Sequence, residues 1–258
     1  MQDKSIVVPD ATTEEARAAH PGGALRVAIT GGTSGLGLAL VREFLARGAN
    51  VALVARGAER VDRVVQEHPG AHGIVADVSA KDDIYPIAVQ IAGELGGLDV
   101  LINNASDLGP APLALLGDTD CLDFERAFAT NVLGPFRLTK ALLGALTASA
   151  RENGAAVVLN ISSDAAINAY PGWGAYGTSK AALLHLTRIW NEELASEGVR
   201  FVSVDPGDMD TPMHALAVPD GNPAALKRPE TAAREVADAI TATIARCIPT
   251  GATEGDRR

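Results

Sequence analysis

Six short, almost entirely apolar segments alternate with helical patterns along most of this chain. The segments lie at 25–29, 50–54, 72–76, 98–102, 155–161 and 199–204. Strands that are apolar at nearly every position must be covered on both faces, which is typical of a parallel sheet between two layers of helices. The connections of such a sheet are right-handed crossovers. The sequence therefore predicts an α/β fold with a doubly wound parallel sheet in three layers, with six or seven strands.

The helical patterns and the chain length indicate one domain. Helices are predicted from the glycines after the first strand to about Arg47, and at 57–67, 80–95, 119–149, 175–197 and 229–246. A chain of 258 residues is long enough to bury one large core. We expect a polar, alanine-rich extension at 1–24, a single domain at 25–250 with a substrate-loop segment at about 205–228, and a polar tail at 251–258.

Charge and composition exclude several partners. The formal net charge is -10, so a nucleic acid or an anionic membrane surface would be repelled. Cys121 and Cys247 lack the spacing of a metal or redox site, and we expect no metal and two reduced core thiols. The first twenty-four residues lack the apolar stretch of a signal peptide, which predicts a cytoplasmic protein with a small-molecule partner.

Three glycines mark a candidate phosphate site. Gly31, Gly35 and Gly37 lie where the first strand becomes a helix, and glycines there allow a backbone to approach a pyrophosphate at the positive helix N-terminus. The spacing Gly-x-x-x-Gly-x-Gly differs from the common G-x-G-x-x-G fingerprint. A plain strand–helix turn is the alternative interpretation.

The end of the second strand bears on which dinucleotide is bound. Ala55 offers no carboxylate to repel a 2′-phosphate, and Arg56 beside it is able to make a bidentate contact with one. This pair predicts that NADP(H) is preferred over NAD(H), unless Arg56 is an ordinary surface arginine. Asp77, after the third strand, either reaches the adenine amino group or caps the next turn.

Tyr176 and Lys180 are the candidate acid–base pair. Four residues apart at the start of a helix, they project from one face. A lysine ammonium ~5 Å from the phenol, at an effective dielectric of ~20, favours the phenolate by about 3 kcal/mol, or roughly two pKa units. The alternative interpretation is that both residues lie on an ordinary solvent-exposed helix face. Ser163, at the end of the fifth strand, is positioned to hold the substrate oxygen, with Ser162 as its neighbouring alternative.

Together these motifs resemble the classical short-chain dehydrogenase/reductase family over about residues 25–212. The resemblance rests on Thr30-Gly-x-x-x-Gly-x-Gly37, Asp77, Asn103–Asn104–Ala105, Asn131, Ser163, Tyr176-x-x-x-Lys180 and Pro206–Gly207 through Thr211. It implies a Rossmann-type fold and NADP(H)-dependent interconversion of a ketone or aldehyde with an alcohol. It also implies that Tyr176 is the acid or base, that Lys180 lowers its pKa and binds the nicotinamide ribose, that Ser163 orients the substrate, and that Asn131 holds a relay water.

The cofactor residues implied by this resemblance surround one dinucleotide. They are Gly31, Thr33, Ser34, Gly35, Leu36, Gly37, Arg56, Asp77, Val78, Asn104, Ala105, Tyr176, Lys180, Pro206, Gly207 and Thr211. The family's four-helix contact implies a homodimer or homotetramer through the helices at 119–149 and 175–197.

Two departures from the family pattern stand out. Ser106 replaces the glycine that usually follows Asn-Asn-Ala, and the usual closing strand with its Asp-Gly-Gly is missing, which puts the seventh strand in doubt. The alternative function is a non-catalytic NAD(P)-binding regulator, whose mark would be the loss of the tyrosine or the lysine.

The substrate region is predicted only in outline. Its expected wall combines Tyr170, Trp173, Met213, His214 and the loop at Asp107–Leu108, although each of these side chains is also explained by packing. Asp208 and Asp210 fit a cationic or hydroxyl-rich substrate, or a cap on a following helix.

Overall fold

The computed structural model describes residues 23–247 and contains the predicted sheet. Its strands are β1 Arg26–Thr30, β2 Asn50–Ala55, β3 Ala71–Val75, β4 Val100–Asn103, β5 Ala156–Ile161 and β6 Val199–Val204. They form one sheet in the order β3-β2-β1-β4-β5-β6, and every pairing is parallel. The prediction of a doubly wound parallel sheet is confirmed.

Eight α-helices lie within the described residues. They are α1 Gly35–Ala46, α2 Ala58–Glu67, α3 Ile84–Leu95, α4 Cys121–Phe128, α5 Gly134–Asn153, α6 Gly174–Leu194, α7 Pro212–Ala217 and α8 Pro229–Cys247. Helix α7 lies in the segment at 205–228, where the sequence indicated a helix only as one alternative and without bounds. It begins after Thr211, whose hydroxyl accepts a hydrogen bond from the backbone N–H of His214 and so caps the helix.

The long helix predicted at 119–149 is interrupted in the middle. A five-residue π-helical turn, Ala129–Leu133, separates α4 from α5. Pro135 explains the break, because it has no N–H to donate to the carbonyl of Asn131 four residues earlier. The interruption therefore falls on a predicted catalytic residue.

Apolar clusters on the two faces of the sheet form the core. Alternate residues of β1 point to opposite sides: Val27 and Ile29 pack in the layer of α1 and α8, and Ala28 packs in the layer of α3 and α5. Since successive strand residues face opposite ways, a strand buried on both faces must be apolar throughout. This accounts for the uninterrupted apolar segments.

The chain reverses its direction of winding between β1 and β4, which lie side by side at the centre of the sheet. Ligands of open α/β sheets bind in the crevice that such a reversal opens at the carboxyl ends of the strands. Thr30, the last residue of β1, ties the two strand ends together there. Its hydroxyl accepts hydrogen bonds from the N–H groups of Asn104 and Ala105, at 3.0 and 3.1 Å.

One expectation from the sequence is corrected by the structure, and several others concern residues that lie outside the described part of the chain. Cys121 and Cys247 are free thiols, but Cys121 is exposed and Cys247 is only partly buried, so placing both in the core was wrong. Nearly all of the extension at 1–24, the tail at 251–258 and the position of a seventh strand lie outside the described residues. Within 23–247, no helix has the length and apolar character required to cross a bilayer.

Candidate active site

A cavity of about 820 Å³ opens at the carboxyl end of the sheet. All of the predicted cofactor residues line it, from the glycine turn after β1 to Thr211 at the start of α7. Ser163, Tyr176 and Lys180 line it as well. Asn131 does not, and its neighbour Thr130 reaches the wall instead. The structure thus brings the separate motifs together around one space.

The glycine turn needs its glycines for close packing and leaves the N-terminus of α1 open. Gly31 and Gly35 have φ angles of 71° and 50°, which favour glycine. A Cβ on Gly37 would lie 2.1 Å from the carbonyl oxygen of Gly31. Ser34 precedes α1 without a side-chain cap, so the first N–H groups of this helix remain available to an anion.

Two arginines stand at the end of the cavity next to β2. Arg56 is largely exposed, with its Nη1 3.7 Å from the Oδ2 of Asp77, and Arg60 lies beside it on the first turn of α2. Sequence reasoning missed Arg60, although its position four residues after Arg56 was a usable signal. The two guanidinium groups together suit a phosphate better than Arg56 alone.

Asp77 performs the capping role that the sequence left as an alternative. Its Oδ1 accepts hydrogen bonds from the backbone N–H and the hydroxyl of Ser79, at 2.8 and 2.7 Å. Its Oδ2 faces Arg56, and the residue also lines the cavity. Capping and a contact with a ligand are therefore compatible at this position.

Tyr176 and Lys180 lie on the first turns of α6 and are both buried. Lys180 is only 2% exposed, and its Nζ donates a hydrogen bond of 2.8 Å to the carbonyl of Ile161 at the end of β5. The alternative of a solvated helix face is wrong, because both side chains are buried. A lysine is almost never buried without a specific partner, which here is the carbonyl of Ile161.

The electrostatics of this pair differ from expectation. Burial raises the pKa of Tyr176 to about 12, which outweighs the lowering by the hydroxyls of Ser163 and Ser106. Burial also lowers the pKa of Lys180 to about 8, against the opposing effect of the Asp205 carboxylate. The predicted drop of two units in the tyrosine does not occur in this state, because desolvation disfavours the phenolate and the ammonium alike.

Of the two adjacent serines, Ser163 turns towards the phenol. Its hydroxyl lies close enough to Tyr176 to lower that residue's pKa, and it donates to Asp164 at 3.2 Å. Ser162 is more deeply buried. Both serines nevertheless line the cavity, so strand alternation does not exclude Ser162 from the site as the sequence interpretation assumed.

The side chain of Asn131 is fully engaged by neighbouring protein groups. Its Oδ1 accepts from the hydroxyl of Ser106 and the N–H of Asp107, and its Nδ2 donates to the carbonyl of Asp107 and the hydroxyl of Ser179. Because these four bonds use the whole capacity of the amide, the side chain has no group left for a relay water. It fastens the loop after β4 to α6.

Ser106 was missed as a site residue. Its hydroxyl lies between the Asn131 amide, at 3.1 Å, and the Tyr176 phenol, whose pKa it lowers. The departure from the family's glycine was visible in the sequence, but the direction of the side chain was not.

Most of the predicted substrate wall is present. Leu108, Tyr170, Trp173, Met213 and His214 line the cavity, as does Asp208. Asp107 turns away, because its carboxylate accepts from the N–H of Gly109 and from Arg126. Neither Asp208 nor Asp210 caps α7, since Thr211 does.

Comparisons with known proteins agree on one family. The short chain dehydrogenase family model matches residues 26–221. The 2-(R)-hydroxypropyl-CoM dehydrogenase of Xanthobacter autotrophicus is 37% identical over 73% of this chain and 76% of its own length.

Solved structures share the fold. A 3-ketoacyl-(acyl-carrier-protein) reductase from Brucella melitensis, in complex with NADH, is 26% identical with a TM-score of 0.76, covering 88% of this chain and 91% of its own. An actinorhodin polyketide ketoreductase with NADPH is 25% identical with a TM-score of 0.77, covering 88% and 94%. Both cofactors therefore occur among similar structures.

Proposed function

Because this chain belongs to the short-chain dehydrogenase family, as an oxidoreductase acting on CH–OH and C=O groups, we propose that it uses NADP(H) and that Tyr176 is its acid–base residue. The observation that carries the proposal is the position of the buried Tyr176–Lys180 pair in the same cavity as the glycine turn and the two arginines.

The residues that line the cavity fit a nicotinamide dinucleotide that carries a 2′-phosphate. The uncapped N–H groups at the start of α1, beside the glycine turn that lines the cavity, suit a pyrophosphate. Arg56 and Arg60 suit a 2′-phosphate. The preference for NADP(H) rests on these two side chains, supported by the absence of a carboxylate at Ala55.

Bound NADPH supplies the hydride that reduces the carbonyl carbon. Ser163 holds the carbonyl oxygen near the phenol, and Tyr176 donates its proton to that oxygen as the bond is reduced. In the reverse direction the phenolate of Tyr176 takes the proton of the alcohol. Lys180 stabilises that phenolate through its positive charge and is itself held in place by the carbonyl of Ile161.

We also propose a cytoplasmic homodimer or homotetramer. Leu133 at the end of the π-helical turn, Phe136 at the start of α5 and Ile189 on α6 are 41%, 36% and 44% exposed. Exposed apolar side chains on neighbouring helices favour association. Sedimentation of the purified protein tests this part of the proposal.

The direct test is consumption of NADPH with a panel of ketones and aldehydes, repeated with NADH. We expect turnover with NADPH and a clearly weaker response to NADH. An equal response to both would remove the argument from Arg56 and Arg60. Tight binding of NADPH without turnover of any carbonyl would favour the non-catalytic regulator.

A further inference from the structure

The end of the cavity away from Arg56 and Arg60 has an acidic and aromatic wall. Tyr170 and Trp173, on the connection from β5 to α6, line it together with Asp164, Asp208 and His214. Trp173 packs edge-on against Tyr176, with ring centroids 5.6 Å apart. Asp205, a third carboxylate of the same lining, lies close enough to act on the charges of Tyr176 and Lys180.

The Asp164 carboxylate lies in the wall of the cavity. Its Oδ2 accepts from the hydroxyl of Tyr170 at 2.7 Å, and its Oδ1 accepts from Ser163. Both partners are neutral donors. None of the ion pairs within residues 23–247 includes Asp164. The carboxylate is therefore oriented but not neutralised.

Asp208 reaches the same wall from a different part of the chain. It follows Pro206–Gly207, and only its backbone is tied down, by a hydrogen bond from the N–H of Lys227. The ammonium group of Lys227 pairs instead with Glu235, at 2.7 Å. Among the described ion pairs none includes Asp208 either, so two separate segments each present an uncompensated carboxylate.

Most basic side chains that line the cavity lie at its opposite end or already have a hydrogen-bond partner. Arg56 and Arg60 are at the opposite end, and the Lys180 ammonium is buried against Ile161. His214 is the remaining basic group of the described lining. The substrate end therefore has a negative field that water screens only until a ligand displaces it.

We propose that the substrate carries a positively charged ammonium group, held between the carboxylates of Asp164 and Asp208 and the rings of Tyr170 and Trp173, while its carbonyl or alcohol meets Tyr176. This inference rests on the proposed function. Aromatic faces and carboxylates together are the groups that bind ammonium ligands in proteins. An anionic substrate meets repulsion from both acids.

Methyl ketones matched in shape test the charge. Each carries a trimethylammonium group, a tert-butyl group of the same shape or a carboxylate at the end of a short, medium or longer methylene spacer. With NADPH, for at least one spacer we expect kcat/KM for the ammonium ketone to exceed that for the tert-butyl ketone by about tenfold, mainly through KM, with the carboxylate poorest. Added salt should reduce the preference.

Variants assign the preference to the two acids. Asp208→Asn and Asp164→Asn should each bring the ratio of the ammonium to the tert-butyl ketone closer to one. Asp210→Asn is the matched control, because this acid lies in the same segment but does not line the cavity, and it should retain the ratio. A ratio near one in the unaltered protein, or one that the Asp208 and Asp164 variants leave unchanged, overturns the inference.

A binding measurement separates this inference from the proposed function. Calorimetry on Tyr176→Phe with NADPH present compares the ammonium and tert-butyl ketones without turnover. Tighter binding of the ammonium ketone supports the inference even if the unaltered protein reduces no ketone, an outcome that would count against the proposed function alone. Equal binding at every spacer length counts against the inference whether or not the ketones are reduced.

Discussion

The Nζ of Lys180 lies 5.4 Å from the centroid of the Tyr176 ring, and both side chains are buried among the first turns of α6. Burial makes the phenol a weaker acid and the ammonium a stronger one, because each charged form loses hydration. Keeping this pair buried costs stability, and the cost falls at the position where the proposed mechanism transfers a proton.

Replacing the lysine should therefore stabilise the protein. Burial lowers the pKa of Lys180 from 10.5 to about 8, so between these values the unfolded chain binds more protons than the native state, and stability rises with pH. Below about pH 8 the full cost is present. For Lys180→Met we expect a gain of about 2 kcal/mol in the free energy of unfolding near neutral pH, after allowing for the lost bond to Ile161.

Urea unfolding near neutral pH and at a pH approaching 10.5 measures this effect, and the gain should shrink at the higher pH. Lys140→Met, at an exposed position of α5, is the control and should change the stability by less than about 0.5 kcal/mol. A Lys180→Met protein that is less stable than the unaltered one at both pH values would show that the buried ammonium group does not destabilise the fold.

Removing the phenolic hydroxyl should separate chemistry from binding. In Tyr176→Phe the proton donor is lost, and we expect carbonyl reduction to fall by a factor of about 10² to 10⁴. NADPH affinity should change little, because the glycine turn and the arginines are untouched. Steady-state rates and fluorescence titration of NADPH give the two quantities, and a variant with near-normal turnover would contradict the assigned role.

The hydroxyl of Ser106 should influence the pH profile. It lowers the pKa of Tyr176, so in Ser106→Ala the phenol should ionise at a higher pH, and the rise of alcohol oxidation with pH should shift to higher pH. Carbonyl reduction and alcohol oxidation share one transition state, so at a fixed pH both should slow by a similar factor. Ser106→Thr retains a hydroxyl and should restore the original pH profile. A loss of rate with an unshifted pH profile would indicate a structural role instead.

Local sequence patterns predicted the sheet, and the resemblance to a family supplied many of the residues that line the cavity. The strands are recognisable because burial on both faces requires apolar residues throughout, and the motifs at Gly37, Ser163 and Tyr176 each follow a strand or begin a helix. Since all carboxyl ends of a parallel sheet meet at one edge, their convergence on one cavity follows from the topology.

Properties that depend on the packed environment were not predictable. The raised pKa of Tyr176 reflects burial by distant segments, and the commitment of the Asn131 amide depends on a loop that packs against it. Two misses had local signals: Pro135 disrupts the helix around Asn131, and Thr211 followed by a proline marks the start of α7.

The arginine at the end of β2 should determine the cofactor preference. Arg56→Ala removes a charge-assisted contact with a 2′-phosphate, and we expect the affinity for NADPH to fall by about tenfold or more while the affinity for NADH is nearly unchanged. Fluorescence titration with both cofactors measures the ratio. Arg63→Ala, at an exposed position of α2 that does not line the cavity, should leave the ratio unaltered, whereas parallel losses of NADPH and NADH would refute a phosphate contact.

The tightest point of the glycine turn provides a last test. A Cβ on Gly37 would lie 2.1 Å from the carbonyl oxygen of Gly31 and 2.6 Å from the Nδ2 of Asn104. That amide is held in place by its hydrogen bond to the carbonyl of Thr30, at 2.9 Å, so the strain must be relieved by moving backbone. For Gly37→Ala we expect a loss of about 2 kcal/mol in stability, as for an overpacked core site, together with a loss of NADPH binding.

Gly144→Ala is the matched control, because this glycine lies inside α5 with nothing within 4 Å of an added Cβ. It should stabilise the protein by about 0.5 to 1 kcal/mol, since alanine loses less conformational entropy in a helix. The unfolding temperatures of the two variants should therefore move in opposite directions, and only Gly37→Ala should lose NADPH binding. If Gly37→Ala binds NADPH normally, the close packing of the turn against Gly31 and Asn104 is not required for the phosphate site.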